Sequence, residues 1–255
     1  MFQNNKTAIA MIAALGALAV ATPAHAAFVA YEIRNTPTID DLGGGSYEII
    51  IDGGGDKAAL GSNDINGATL GSIGSLGIDR SDDETRFSNG SGPNVAPYLN
   101  FWITDGAGNY AVVANEPSNP AFQPLYNDGY DLTFADLADK TAKIYENDDL
   151  SWLPNNGLGL TFADLAAFTI MAPSVLELAT PWAGLGTGAP RELGTDLAYG
   201  VNWVFGDTLS NYVSGDDGYI VSNARVSVVP VPASVLLLGS AVGLLGLRGR
   251  RRKTA

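Results

Sequence analysis

Clusters of turn-forming residues cut the stretch from Ala27 to Val228 into short pieces: Gly43-Gly44-Gly45, Gly53-Gly54-Gly55, Asp105-Gly106, Asn127-Asp128-Gly129, Asn155-Asn156-Gly157 and Asp216-Asp217-Gly218. Gly, Asn and Asp reach left-handed backbone at little cost, so each cluster is a place where the chain can reverse. Between them lie runs rich in β-branched and aromatic residues, and each reads as a strand. These are Phe28 to Ile33, Tyr47 to Ile51, Tyr98 to Thr104, Tyr110 to Ala114, Tyr199 to Phe205 and Tyr219 to Val229. Asn100 to Val113 predicts a hairpin, two such runs joined by the loop Asp105-Gly106-Ala107-Gly108. Strands at this density, with no long helical period, predict one all-β domain over residues 27–228, an antiparallel sandwich of jelly-roll type. The two early glycine triplets read as loose loops.

One heptapeptide occurs twice. Leu-Thr-Phe-Ala-Asp-Leu-Ala runs from Leu132 to Ala138 and again from Leu160 to Ala166. Thr133 and Thr161 can each cap a helical turn, with Asp136 and Asp164 three residues on in capping-box position. Two short helical turns, near 133–139 and 161–167, are therefore the expected helices of the domain. They would bury Phe134, Leu137, Phe162 and Leu165 at the ends of the sandwich. Each copy leads into a stretch that looks extended, Thr141 to Tyr145 and Phe168 to Met171.

All 27 acidic residues fall between Glu32 and Asp217, and against 8 basic residues they give the span 27–228 a net charge of −19. That argues against a nucleic-acid partner, because phosphates demand a basic face. Cys is absent, which rules out disulfides, thiolate metal sites and thiol nucleophiles. The single His is His25.

Met1 to Ala26 has the three parts of a secretory signal: a polar start with Lys6, an apolar run from Ala8 to Ala21, and the small-x-small triplet Ala24-His25-Ala26. The apolar run, a signal helix, is shorter than the roughly 20 residues a membrane span needs. Cleavage by signal peptidase after Ala26 then leaves Ala27 as the first residue. His25 departs with the signal, so Ser-His-Asp catalysis and His-ligated zinc drop out as well.

The other end, residues 229–255, is also tripartite. Val229-Pro230-Val231-Pro232-Ala233 precedes an apolar run from Ser234 to Leu247, followed by Arg248, Arg250, Arg251, Arg252 and Lys253. Alternate prolines keep the chain extended, fit for presentation to a processing enzyme. The apolar run is a marginal membrane helix, and the arginines hold its far side cytoplasmic. This arrangement resembles the PEP-CTERM sorting signal of Gram-negative surface proteins, in its VPxPA (VPLPA-CTERM) variant. The resemblance covers about the last 27 residues. It implies that an exosortase-type membrane transpeptidase removes the tail at or near the proline motif, with Pro230, Pro232 and Ala233 as substrate residues. It implies a transient membrane anchor and delivery of the domain to the cell surface or to a secreted exopolysaccharide, as in a biofilm.

Catalytic residues are not apparent in the domain. The strand motif Glu-x-Asp-x-x-Glu of β-jelly-roll glucanases has its nearest counterpart at Glu146-Asn147-Asp148, where Ser151 replaces the last Glu. Ca²⁺ is the one candidate cofactor, with Asp52, Asp56, Asp79, Asp82, Asp83 and Glu84 as candidate oxygen ligands in Gly-rich or acidic loops. Trp152 and Trp182, beside Pro154 and Pro181, are candidate platforms for sugar rings, whereas Trp102 and Trp203 sit in apolar runs and read as core. The expected function is a non-enzymatic structural or adhesive role in an extracellular polysaccharide matrix. A carbohydrate-binding module is the alternative, and a glycoside hydrolase the third class.

Overall fold

Hydrogen bonding between the strand-like runs produces two antiparallel sheets packed together. The computed structural model describes residues 27–82, 97–115, 119–122, 130–145, 149–174, 199–206 and 217–229. Among these, twelve strands form one sheet of seven and one of five. The larger sheet orders its strands β1 (Val29–Arg34), β4 (Lys57–Ser62), β11 (Val201–Phe205), β6 (Tyr98–Thr104), β7 (Tyr110–Ala114) and β9 (Lys143–Tyr145), with β10 (Thr169–Ile170) beside the end of β6. The smaller runs β2 (Thr38–Gly43), β3 (Ser46–Ile50), β12 (Tyr219–Val228), β5 (Ile73–Arg80) and β8 (Tyr130–Leu132).

Alternation along the strands builds the core. Trp203 of β11 lies opposite Leu60 of β4 and Leu99 of β6, and all three are buried. In the smaller sheet Tyr219 lies opposite Ile49, and Val226 opposite Leu76. Phe205 meets Tyr219 edge-on with ring centroids 5.3 Å apart, tying the sheets together. Such an edge contact adds about 0.5–1.5 kcal/mol to the burial itself. All seven residues of β6 are buried, so this strand is covered on both faces.

The predicted hairpin forms as β6 and β7, with Asp105 Oδ1 accepting from Ala107 N at 2.8 Å within the turn. Four strands have no strong counterpart in the sequence pattern. Exposed β2 is one-third acidic, β4 carries two Ala and a Gly, β5 carries two Gly, and β8 is three residues long. Neighbours on both sides hold β4 in place despite its composition, which is the usual way pairing overrides β-propensity.

The glycine triplets are not loose loops. Gly43, Gly44 and Gly45 all have positive φ and make the tight turn from β2 to β3. Gly53 to Asp56 is a closed turn, with Asp56 N donating to Gly53 O at 3.1 Å and Gly53 N to Asp56 Oδ2 at 2.8 Å. Further 3-10 segments occur at Leu70–Ser72 and Pro154–Gly157, the latter with Asn155 and Asn156 in left-handed backbone.

The repeat copies differ. The first is a helical turn, Phe134–Ala138, with the Thr133/Asp136 capping box formed. The second keeps the Thr161/Asp164 exchange, at 2.8 Å and 3.2 Å. It then runs as successive turns, Leu165 N to Phe162 O and Phe168 N to Leu165 O, instead of the expected helix. Its backbone is tied sideways: Phe162 N and Ala163 N donate to Lys140 O and Ala138 O, and its far end receives bonds from Gly71 N and Leu70 N. The two copies and the 3-10 turn thus stack side by side.

Two register pairs fix where the domain's ends emerge. Val29 pairs with Gly61 at the end of β4, and Val228 pairs with Ile73 at the start of β5. The connection from Asn63 to Ser72 lies between. Both ends of the domain therefore leave from one end of the sandwich.

Candidate functional site

The carboxylates singled out as calcium ligands are spread over the fold. Asp52 is exposed. Asp56 is buried and accepts from Gly53 N and from Asn35 Nδ2 at 3.1 Å. Asp79 accepts from Asn223 Nδ2 and Arg225 Nη1, both at 2.8 Å. Those bonds, that of Asn223 first, hold its carboxyl below the ordinary Asp value. Asp82 is buried against Arg80 and accepts from Ile220 N at 3.2 Å. Asp83 and Glu84 lie outside the described residues. Among the described residues no three acids gather as metal ligands. A carboxylate filled by protein donors has little left to offer a cation that takes six to eight oxygens.

Of the four tryptophans, Trp102 and Trp203 are buried, as expected for core. Trp152 is half-buried and sits edge-on to Phe168, ring centroids 5.4 Å apart, so much of its surface is engaged by the domain itself. Trp182 lies outside the described residues, as do Glu146 and Asp148.

The processing positions are described only at their inner margins. Ala24, Ala26, Pro230, Val231, Pro232, Ala233 and the arginines at 248 and 250–252 lie outside the described residues. Ala27, the expected first residue after signal removal, donates its main-chain N to Asp64 Oδ2 at 2.6 Å. Val229, the first residue of the proline motif, donates its N to Ser72 O at 2.7 Å and is 57% exposed. Both margins are thus fastened to the β4–β5 connection. Among the described residues no helix is long and apolar enough to cross a membrane.

A cleft of about 360 Å³ opens between the sheets. Phe28, ahead of β1, and Leu60 of β4 line it on one side; Tyr47 of β3, Asn223 of β12 and the Gly44-Gly45 turn line it on the other. Phe28 and Tyr47 are half-buried against the core. Burial first, and the charge of Asp41 second, hold the Tyr47 phenol above its ordinary value. Asp41 stands directly across from Tyr47 in the β2–β3 register. Asn223 occupies a bulge in β12 with φ of 49°. Sequence reasoning found Phe28 and Tyr47 only as strand residues, because nothing in a linear pattern says that the starts of β1 and β3 meet. No family model, curated protein or solved structure matches the chain.

Proposed function

We propose that the chain is an exported, surface-sorted protein with a non-enzymatic structural or adhesive role in an extracellular polysaccharide matrix. A signal helix before Ala27 and a membrane helix after Ala233 flank its jelly-roll-like domain, and an exosortase-type transpeptidase acts at Pro230-Val231-Pro232-Ala233.

The observation that carries this reading is the common exit of the two margins. Ala27 and Val229 both dock on the segment from Asn63 to Ser72. Apolar segments attached there can enter one bilayer together while the acidic domain stays on a single side of it. The cluster Arg248 to Lys253 fixes which side through the positive-inside rule.

The test replaces Pro230 and Pro232 by Ala, which relaxes the extended segment and leaves the apolar run intact. The double variant is expected to accumulate in the cell envelope at the mass of the uncut tail. Its arrival in the matrix or medium at the wild-type mass would reduce the proline motif to a linker.

A further inference from the structure

We infer that the cleft between Phe28, Tyr47, Leu60 and Asn223 is a binding site for a neutral sugar unit, an end or a short stretch of an uncharged polysaccharide. The inference deepens the matrix reading and rests on it for the source of the ligand. Four observations select this chemistry.

Size comes first. A volume of about 360 Å³ falls at the small end of the roughly 300–1,000 Å³ range of small-molecule sites. It suits a sugar ring or two, and not a folded partner.

The walls come second. Phe28 and Tyr47 present aromatic surface with one part packed on the core, so each ring is held before any ligand arrives. A ring fixed this way loses little rotamer freedom on binding. Its flat face complements the C–H face of a pyranose.

Hydrogen-bonding groups come third. Asn223 spends its Nδ2 on Asp79, which orients the amide and leaves Oδ1 as the acceptor it can offer. The raised Tyr47 phenol stays protonated throughout the physiological range and can donate. The Asp41 carboxylate lies across the hairpin from that ring and accepts from Gly43 N within the turn. Gly44 and Gly45 have no atom within 4 Å of the place a Cβ would occupy, so the rim on that side is open.

Charge comes last. The lining holds no Lys or Arg, and the domain carries −19 overall. The Ala27 main-chain N at the cleft is already taken by Asp64 Oδ2, so an acidic polymer would be repelled with little to compensate, which leaves a neutral hydroxyl-rich ligand.

The experiment uses the full chain in a mild detergent, titrated by calorimetry with cellopentaose and maltopentaose and, as the anionic comparison, a galacturonate pentamer. Wild-type protein is expected to bind a neutral pentamer saturably and the galacturonate at least tenfold more weakly. Tyr47→Ala is expected to cost at least tenfold in affinity. Because Tyr47 also packs on the core, two further variants keep the fold in view: Tyr47→Phe retains the packing, and Ala224→Leu fills the cleft from β12. Each should weaken binding at least threefold with the thermal melt unchanged.

Neutral binding untouched by all three variants would overturn the cleft while leaving the matrix reading in place. Galacturonate binding as tight as the neutral pentamers would overturn the ligand class. No binding to any of the three would also overturn the inference. The matrix reading has its own readout, retention of the sorted protein in the host's polysaccharide, which does not depend on the cleft.

Discussion

Asp64 illustrates how one exposed side chain acquires a role from where the chain begins. Its Oδ2 accepts from Ala27 N at 2.6 Å. In a chain that starts at Ala27 this nitrogen is an ammonium, and a hydrogen bond from an amide to the carboxylate becomes an ion pair. Exposed pairs are worth about 0–1 kcal/mol, which for a domain of this size is a shift in melting temperature of about 2–4 °C at most. In protein beginning at Ala27, Asp64→Ala is therefore expected to lower the melt by a degree or more, and acetylation of the α-amine to remove the difference. An equal effect in the acetylated protein would show that the charge is irrelevant and the bond purely local. Asp64 itself drew no notice in the sequence, because its partner lies 37 residues away.

At the level of elements, the repeat separates local from tertiary control. Identical heptapeptides give both copies their Thr/Asp exchange, at Thr133/Asp136 and Thr161/Asp164, a contact made within four residues. The surroundings then diverge. Phe162 is fully buried, with Phe101 and Phe122 edge-on at 6.2 and 6.0 Å, whereas Phe134 is only partly buried. Phe162→Ala is expected to cost about 3–5 kcal/mol, the usual range for emptying a core aromatic site. Phe134→Ala should cost about 1–2 kcal/mol, in keeping with partial burial. Denaturant unfolding of both variants measures the difference, and equal losses would contradict the asymmetric docking. Gly71 sets the limit on that docking: a Cβ there would come within 2.8 Å of the Ala166 Cβ.

Across the whole domain, acid stability follows from carboxylates used as internal acceptors. Hydrogen bonds hold Asp79, Asp105, Asp149 and Asp164 below the ordinary value of 3.8, chiefly from Asn223, Asn109, the Ser151 hydroxyl and Thr161 N respectively. Each folded pKa lies below its unfolded one, so the stability it lends is complete above the unfolded value. It is lost as pH falls through the lower, folded value. No His or Cys lies within residues 27–228, so the side chains that usually titrate between pH 5 and 8 are absent. The melting temperature of the domain should stay level from neutral pH to about pH 5 and fall below about pH 4. A fall already between pH 7 and pH 5 would point to a carboxylate with a raised pKa. Sequence alone determined the sandwich-like β class, the hairpin from Tyr98 to Ala114 and the capping exchange in both repeats, because turn chemistry, two-residue alternation and capping act over a few residues. Only the tertiary structure decided that Ala-rich β4 is a central strand and that one repeat copy enters the core while the other stays nearer the surface. It also decided that Ala27 and Val229 leave from the same end, and that Phe28 and Tyr47 face one cleft. Each of these depends on partners tens of residues away. The burial and pairing such partners supply outweigh the fraction of a kcal/mol per residue that local preference contributes.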